Sequence, residues 1–424
     1  MIANPLTLPR YSIGIGDRFG MEGRAQLRAL KQALDKGVEV IPVWNKSNRE
    51  HTIIGTRPED ARKAADDAVK AMDWKGKYYL DADHISLITV DPFITHCDFF
   101  TLDVADFIRT TPDPLELEVF EREMKPLCGL LRIPTMNREI RVSEEMIRTI
   151  GSKYLCAVKE AGRIYRYIQN RKENAEIIVE ISMDETNLPQ TPVELFFILA
   201  AAAQEKIPIQ TIAPKFSGMF LKGIDYIGDR SDFAKEFEED IIVVSHAISV
   251  FSLPSSLKLS VHSGSDKFSL YPLMYQAMKK HNAGLHLKTA GTTWLEEVIG
   301  LAAAGNEGLR IAKEIYKSAY MRIDELCAPY ATVVQIERTN LPSPEQVEQW
   351  TSNQFVSTLR HDQHCPTYNK DIRQMIHVAF KVAAEMGDRY RNALETHEKI
   401  IGKCVTDNLL ERHIKPLFLG EHSV

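Results

Sequence analysis

The sequence has few cysteines and no long apolar run, and both absences argue against whole classes of protein. Six cysteines are scattered over 424 residues, and no two of them form a CxxC pair. Thiols this sparse argue against a disulfide framework and against a thiolate zinc site, so we expect buried free thiols. Because no stretch of about 18 apolar residues occurs, we expect no membrane span.

The chain also lacks a basic block and an export signal. Its formal net charge is −6, and its charged residues, 26% of the total, include no long basic run. A nucleic-acid partner is therefore not expected. The first residues, MIANPLTLPRYS, contain no charged segment followed by an apolar core, so we predict no secretory signal and expect a cytoplasmic protein.

A dinucleotide fingerprint is absent as well. Residues 14–20 read GIGDRFG, a glycine-rich turn without the GxGxxG spacing. We therefore expect no dinucleotide at this turn. Arg18, near its centre, is a candidate to bind an anionic group of a substrate, and a structural ion pair is the alternative.

Eight short β-like runs are present, and amphipathic helical patterns separate most of them. The runs are YSIGIG (11–16), VEVIPVW (38–44), YYLDAD (78–83), CDFFTLD (97–103), EIIVEISMD (176–184), IPIQTIA (207–213), LKLSVHS (257–263) and GLHLKTA (284–290). Alternating strands and helices favour parallel strands with helical crossovers, and eight units predict a (β/α)8 TIM-type barrel. A doubly wound sheet is the alternative.

Two regions fall outside this repeat. Residues 112–172 are charged and mostly helical in pattern, which predicts a helical insertion between the fourth and fifth strands. Residues 331–424 are also helical in pattern. We predict a barrel domain over residues 1–330 and a C-terminal helical extension, 331–424, that packs on it.

Most of the predicted strands end in acids, histidines or lysines. These residues are Asp81, Asp83, His84, Asp103, Asp106, Asp184, Glu185, Lys215, His262, Asp266, Lys267, His286 and Lys288. Turn capping explains one such strand end. Because catalytic groups of TIM barrels lie at the carboxyl ends of the strands, the repeated pattern predicts an active site.

Strand alternation predicts which of these side chains face the barrel interior. His286 and Lys288 alternate with outward leucines, and His262 faces inward on the preceding strand. Two inward imidazoles at matching depth, with carboxylates opposite, predict a divalent-metal site. His84 is the predicted third ligand, and Asp184 or Glu185 compete for that place. Each histidine taken singly is also explained as a hydrogen-bonded interior group.

Two further segments predict contacts with a substrate. SGSDK (263–267) opens a helix with small residues, so free backbone N–H groups, Ser263 and Lys267 could bind a carboxylate or phosphate. An ordinary helix cap is the alternative. In residues 358–377, TLRHDQHCPTYNKDIRQMIH, His361 could reach over the barrel mouth as part of a lid, or the segment is a polar loop.

Several long motifs carry a resemblance to one family. They are YYLDADHISLITVDPFITHCDFFTLDVADFI, MDETNLPQTPVELFFIL, SVHSGSDKFSLYP, HLKTAGTTWLE and LRHDQHCPTYNKDIRQ. They are similar to motifs of the bacterial tagaturonate epimerases, also called tagaturonate/fructuronate epimerases, over nearly the whole chain. The resemblance implies interconversion of D-tagaturonate and D-fructuronate, two keto-sugar acids of hexuronate catabolism, with a divalent metal cation. Mn, Zn, Ni, Co and Fe are all compatible.

This function suggests roles for the predicted site residues. We expect deprotonation and reprotonation of a carbon next to the ketone through an enediolate, which a divalent metal would stabilise. The carboxyl groups expected to act as base and acid are Asp83 with Glu185 or Asp184, and Asp266 is a further candidate. Lys267, Lys288 and Arg18 are candidates to bind the substrate carboxylate.

Other functions remain open on the sequence. A metal-dependent aldose–ketose isomerase would use similar ligands, and an aldolase could use Lys288 as a Schiff base. A non-catalytic sugar-acid-binding protein is the alternative of another class. Paired carboxylates argue against it, since binding an anion requires cations. The sequence leaves a homo-oligomer open.

Overall fold

Eight parallel strands close into a barrel at the centre of the computed structural model, which describes residues 6–136, 138–186 and 188–421. They are β1 Tyr11–Ile15, β2 Ile41–Ser47, β3 Tyr79–Ile85, β4 Phe99–Asp103, β7 Ile178–Ser182, β8 Ile209–Ala213, β9 Lys258–His262 and β10 Leu285–Lys288. The short strands β5 Gly129–Leu131 and β6 Ile140–Val142 form a hairpin outside the barrel. The predicted TIM-type barrel is confirmed. Six of the eight predicted runs contain a barrel strand, and the other two, 38–44 and 78–83, overlap strands that continue beyond them.

Helices surround the barrel. Those up to β10 are α1 Gly23–Asp35, α2 Asn48–Ile54, α3 Pro58–Ala71, α4 Pro114–Met124, α5 Glu144–Arg171, α6 Pro192–Gln204, α7 Arg230–Phe251 and α8 Tyr271–His281. Capping residues in the sequence determine where several of these helices begin. At α6, Thr191 and Glu194 form a reciprocal capping box and Pro192 occupies the first helical position.

Regular β/α alternation breaks between β3 and β7. The β3–β4 connection contains only a short 3-10 turn, Asp91–Phe93. The predicted insertion, 112–172, is mostly helical, but it also contains the β5–β6 hairpin, which the helical pattern did not indicate. Its last helix, α5, packs on β4 and α6. This helix therefore serves as the crossover between β4 and β7.

The C-terminal helices pack on the barrel of the same chain. They are α9 Thr292–Ala304, α10 Asn306–Met321, α11 Ile323–Cys327, α12 Pro344–Glu348, α13 Ser352–Leu359, α14 Lys370–Val378, α15 Phe380–Glu385, α16 Asp388–Thr396, α17 Glu398–Asp407 and a terminal helix with π-type hydrogen bonding, Asn408–Leu419. The terminal helix lies against α1 and α8 and closes the ring of helices there.

Apolar burial explains why the terminal helix stays in that position. Ile414 and Leu417 are fully buried and join the core of the barrel, and the Phe418 ring lies 5.2 Å from the Tyr11 ring. Each fully buried side chain of this size stabilises the fold by about 1.5–3 kcal/mol. Within the described part of the chain, no helix is both long and apolar enough to cross a membrane. The domain boundary at residue 330 stays a prediction.

Candidate active site

A buried lysine organises the carboxyl end of the barrel. The Lys288 Nζ atom lies 2.8 Å from both Asp81 Oδ2 and Asp83 Oδ1 and 2.9 Å from Glu180 Oε1. It also donates a hydrogen bond to Thr101 Oγ1 at 2.5 Å. Four strands thus direct polar side chains inward to one point, as alternation predicted for Lys288.

One ammonium group faces three carboxyl groups here, so their charges do not balance. Burial, with a contribution from Asp83, raises the pKa of Asp81 to about 7, although Lys288 opposes it. Burial would also raise the pKa of Asp83 and Glu180, but Lys288 and the neighbouring histidines together outweigh burial and hold both pKa values below their usual range. The surrounding carboxylates raise the pKa of Lys288 well above its usual value, despite its burial. Lys288 is therefore an ammonium ion at neutral pH.

A backbone irregularity brings two consecutive residues of β3 to the same cavity. Neighbouring residues of a regular strand point to opposite faces. The pairing of β3 with β4 shifts register between Ala82 and Ile85, and His84 has a φ of 50°. Positive φ is uncommon and strained for a histidine. The shift lets Asp83 and His84 both line the cavity at the mouth of the barrel.

His84, Asp184 and His262 form a set that we call the mouth cluster. Each offers one ligand atom, and these three atoms lie within 4.8 Å of one another. The His262 Nδ1 atom is 3.2 Å from Asp184 Oδ1, and the two imidazole rings are 5.2 Å apart. Two imidazoles and a carboxylate, partly open to a cavity, are a ligand set suited to a divalent transition metal or zinc.

The second nitrogen of each histidine has a carboxylate partner. His262 Nε2 lies 2.8 Å from Glu180 Oε1, and His84 Nδ1 lies 3.3 Å from Asp103 Oδ2. Carboxylate partners of this kind fix the orientation of metal-binding imidazoles. When each partnered nitrogen carries the proton, the other nitrogen is left free to bind a cation.

The mouth cluster favours positive charge. Burial alone would lower the pKa of His84, but Asp83, Asp103 and Asp184 raise it to about 10. Burial is likewise outweighed at His262, where Asp184 and Glu180 raise the pKa to about 9. The same carboxylates would favour a bound metal cation, which replaces those protons.

The mouth cluster opens into a cavity of about 580 Å³ at the carboxyl ends of the strands. Its lining includes four carboxylate residues, Asp83, Asp103, Asp184 and Glu185. Besides Lys288, the lining also includes the cations Arg18, Arg49, Lys215 and Lys222 and the tail residue His377. A cavity of this size suits a small molecule and has room for a six-carbon sugar acid.

Comparisons with known proteins identify the family. A model of the tagaturonate epimerase family matches residues 2–417. This chain belongs to the tagaturonate epimerase family. Its members are isomerases. A protein from Thermotoga maritima named tagaturonate/fructuronate epimerase is 27% identical over 423 residues, covering 96% of this chain and 80% of that protein.

Solved structures support the fold. The fructuronate-tagaturonate epimerase of Cohnella laeviribosi, complexed with one glycerol, matches with a TM-score of 0.79 at 22% identity, covering 97% of this chain and 82% of that one. Its native structure matches with a TM-score of 0.76 at 23% identity and covers 97% and 82% of the two chains. The barrel with its helical tail is thus an architecture that this epimerase family shares.

His286 does not join the mouth cluster of this epimerase-family chain. His262 pairs with Lys288 across β9 and β10, whereas His286 pairs with Ser260, two residues deeper. The expectation that His262 and His286 share a depth is therefore wrong. His286 Nδ1 lies 2.9 Å from Ser12 Oγ, and burial lowers the pKa of His286 to about 3, so the imidazole is neutral.

Three residues predicted near the substrate are instead enclosed by protein. Asp266 accepts a hydrogen bond from Arg373, and its carboxylate lies 3.0 Å from His361 Nδ1 and 3.5 Å from His413 Nε2. We call Asp266, His361, Arg373 and His413 the tail cluster. All four are buried, and none lines the cavity. Ser263 is also buried and donates to the carbonyl oxygen of Lys288 at 2.7 Å.

Lys267, expected to bind the substrate, is buried and binds backbone instead. Its Nζ atom donates to the carbonyl oxygens of Leu221 and Ile224 at 3.0 and 2.7 Å. Burial lowers the pKa of Lys267 to about 7. Of the predicted substrate-binding residues, Arg18 and Lys288 line the cavity.

Sequence reasoning missed several residues of the site. Glu180 lies within a predicted strand, yet its contacts with Lys288 and His262 depend on three strands meeting. Thr101 carries no sequence signal beyond its place on a strand. Lys222 and His377 line the cavity from a loop and from the tail, where strand alternation gives no information.

Proposed function

We propose that this protein interconverts D-tagaturonate and D-fructuronate, with a divalent cation held by His84, Asp184 and His262. The observation that carries the proposal is the mouth cluster. Two imidazoles and a carboxylate converge on a cavity large enough for a hexuronate, in a chain of the tagaturonate epimerase family. We expect the enzyme to act in the cytoplasm on this small-molecule substrate, without nucleic acid or membrane partners.

The chemistry of these two sugar acids corrects the expected reaction step. They are the keto acids that correspond to galacturonate and glucuronate, so they differ at C4 when the ketone is counted as C2. Only C3 and C1 carry protons next to the ketone. Removing and replacing one of those protons cannot invert C4. Deprotonation next to the ketone is therefore insufficient, and a different bond has to break.

A reversible aldol cleavage meets this requirement without an oxidant. A base removes the proton of the C4 hydroxyl group, the C3–C4 bond breaks, and its electron pair moves into an enediolate over C2 and C3. The other fragment is a three-carbon aldehyde acid. Rotation of the aldehyde and re-formation of the bond on its opposite face return the proton to O4 with C4 inverted. Atoms and electrons balance in both directions.

The residues of the cavity suit these steps. Glu185 lines the cavity, and the structure gives its carboxylate no ion pair or hydrogen bond within the described residues, so it is free to take the C4 hydroxyl proton. Asp83 is the alternative base, although Lys288 and Asn45 already contact its oxygens. The Lys288 ammonium, at the barrel end of the cavity, can stabilise developing negative charge.

A cation in the mouth cluster would supply Lewis acidity to the ketone and enediolate oxygens. Asp184, predicted as base or acid, is better explained as a ligand, because its Oδ1 atom faces His262 Nδ1. Glu180 and Asp103 would orient the two imidazoles. A lysine Schiff base is disfavoured, since the carboxylates around Lys288 hold its pKa well above the usual value and a protonated amine is not a nucleophile.

The test follows D-tagaturonate by NMR in deuterated water, with added Mn²⁺, Zn²⁺, Ni²⁺ or Co²⁺ and with a chelator. We expect metal-dependent formation of D-fructuronate that retains protium at C4. Deuterium at C4 would contradict the aldol route, and the absence of conversion with every metal would overturn the proposed function. Formation of an aldose product would favour the aldose–ketose isomerase.

A second measurement separates aldol cleavage from other routes that retain the C4 proton. The enzyme is incubated with dihydroxyacetone and tartronate semialdehyde, the two fragments that cleavage would produce. We expect slow formation of both hexuronate keto acids. If substrate is epimerised but the fragments never combine, the aldol step is wrong while the epimerase function stands.

A further inference from the structure

The cations around the cavity differ in whether their charge is already compensated. Arg18 donates to Glu50 at 3.0 Å and to the carbonyl oxygen of His377 at 3.2 Å, and it lies over the Phe380 ring. Arg49 donates to the carbonyl oxygen of Pro329 at 3.2 Å. Arg18 thus acts mainly in joining the tail to the barrel.

Two lysines keep free ammonium groups. Among the described residues, the structure shows no hydrogen bond or ion pair of the Lys215 or Lys222 side chain, and both lysines line the cavity. The same cavity is lined by four carboxylate residues, which would repel an anionic ligand, so an uncompensated cation there has a specific use. It offers the position where an anionic group of a ligand can bind without repulsion.

Three hydrogen bonds fix the backbone around Lys222. The Lys222 amide donates to Val333 O at 2.8 Å, and the next amide, of Gly223, donates to Ser265 Oγ at 2.9 Å. Arg373 Nε donates to the Gly223 carbonyl oxygen at 2.6 Å. The tail and the segment after β9 therefore both fix the position of the Lys222 backbone.

Buried Lys267 adds a further support to the same loop. Its ammonium donates to the carbonyl oxygens of Leu221 and Ile224, the residues on either side of Lys222 and Gly223. A buried lysine costs desolvation energy, and here backbone oxygens compensate it. Its effect is to hold the loop in one conformation, which reduces the entropy lost when Lys222 binds a ligand.

The side chain of Lys222 lies along the end of β9. A Cβ atom added to Gly264 would come within 3.3 Å of Lys222 Cδ and 3.6 Å of its Nζ. Gly264 follows the cluster residue His262 by two positions. The ammonium group is therefore close to the strand that provides a ligand of the mouth cluster, on the same side of the barrel.

We propose that Lys222 binds the carboxylate of the substrate and so selects keto-sugar acids over neutral keto sugars. The inference rests on the proposed function, since it assumes an acid as the substrate. In a hexuronate keto acid the carboxylate and the ketone are at opposite halves of the chain. One end can thus bind at Lys222 while the ketone end lies at the mouth cluster.

The test compares the acid with a neutral molecule of the same configuration. D-Tagaturonate and D-tagatose are used as substrates, and L-galactonate and galactitol as non-reacting ligands measured by calorimetry. In Lys222→Met we expect kcat/KM for D-tagaturonate to fall about 100-fold, mainly through KM, and L-galactonate to bind about 100-fold more weakly, because a charge-assisted contact is lost. Kinetics with D-tagatose and binding of galactitol should change less than twofold.

Three further variants complete the design. Lys222→Arg should recover much of the preference for the acid, and the exposed Lys235→Met on α7 should behave as the wild type. Lys215→Met distinguishes the two free lysines. The proposal is overturned if Lys222→Met keeps the preference for the acid, if Lys215→Met loses it instead, or if the wild type does not prefer L-galactonate to galactitol. Because ligand binding needs no turnover, it separates this inference from failure of the epimerase function.

Discussion

The mouth cluster and the tail cluster each contain two histidines and an aspartate, but the tail cluster also contains an arginine. In the tail cluster Arg373 supplies a permanent positive charge to Asp266 and holds the pKa of that buried carboxyl well below its usual range. Burial lowers the pKa of His413 to about 4 and also that of His361. Both imidazoles are neutral, and the cluster is buried away from solvent.

In the mouth cluster no arginine occupies the corresponding place. His84 and His262 acquire raised pKa values because carboxylates surround them, and the cluster opens into a cavity. The difference teaches how one set of residues serves two purposes. Where the protein supplies its own cation, the cluster joins the tail to the barrel, and where it does not, the cluster can bind a metal.

The largest effect is expected from His262→Ala. Loss of one of three protein ligands should reduce bound metal to below one tenth per chain and reduce epimerase activity by about 1,000-fold or more, since the Lewis acid is lost. Metal content is measured by mass spectrometry on folded protein, together with activity. His413→Ala is the matched control from the tail cluster and should retain the metal. Equal metal content in the two variants would contradict the assignment.

Asp266→Asn should have the next largest effect, and on stability rather than metal. It leaves the fully buried Arg373 guanidinium without its counter-charge, which costs about 3–5 kcal/mol of unfolding free energy. Urea denaturation measures this change. Asp184→Asn is the matched variant of the mouth cluster, and it should lose metal with a much smaller loss of stability. If Asp266→Asn lost metal while keeping its stability, the comparison would be reversed.

Sequence reasoning predicted the barrel and the inward side chains of Lys288 and His262, because strand alternation is a local rule. Asp81, Asp83, Lys288 and His262 follow it directly. His84 could not be placed by parity, since the register shift that turns it to the cavity depends on pairing between β3 and β4. His286 was predicted at the same depth in the barrel as His262, although it lies two residues deeper. The relative depth of two residues depends on the stagger between their strands, which one sequence does not show.

The tail cluster shows the opposite error. Asp266 and His361 stand in polar motifs that suggested a site, but their partners Arg373 and His413 come from helices distant in sequence. The Asp266 carboxylate is neutralised by Arg373 only because the tail packs against the barrel in the folded protein. Residue types alone did not distinguish a sealed cluster from an open one.

A smaller effect is expected from Gly14→Ala, which tests how closely the barrel holds Lys288. A Cβ atom at Gly14 would lie 2.8 Å from Lys288 Cγ, so the lysine stem must shift. Displacement of Lys288 from its carboxylates should reduce kcat by about 10- to 100-fold, because misplacing a catalytic group by about 1 Å has effects of this size. Steady-state kinetics and thermal unfolding measure the outcome.

Gly16→Ala is the matched control for that change, since its added Cβ atom would meet neighbours only at 3.6 Å or more. It should keep kcat within about threefold, as expected for an ordinary van der Waals contact. If both variants lost activity equally, flexibility of the turn after β1 would explain the loss better than contact with Lys288. If neither did, the tight fit around Lys288 would not matter for turnover.

The smallest effect, on the free energy of unfolding, is expected from Asp240→Asn. Unlike the carboxylates of the mouth and tail clusters, this buried carboxyl group has no hydrogen-bond partner among the described residues. Asp240 lies on α7 and is fully buried. Burial raises the pKa of Asp240 well above its usual value, with Glu236 and Glu239 contributing. The folded state therefore binds a proton that the unfolded state releases above about pH 4. Stability from this group is present below that pH and decreases as pH rises toward the folded pKa, by up to about 1.4 kcal/mol per pH unit.

Asp240→Asn removes this dependence, so it should match the wild type near pH 4 and be at least about 1 kcal/mol more stable at pH 8 in urea denaturation. Equal stability of the two proteins at both pH values would mean that Asp240 finds a partner in solution, as the carboxylates of both clusters do.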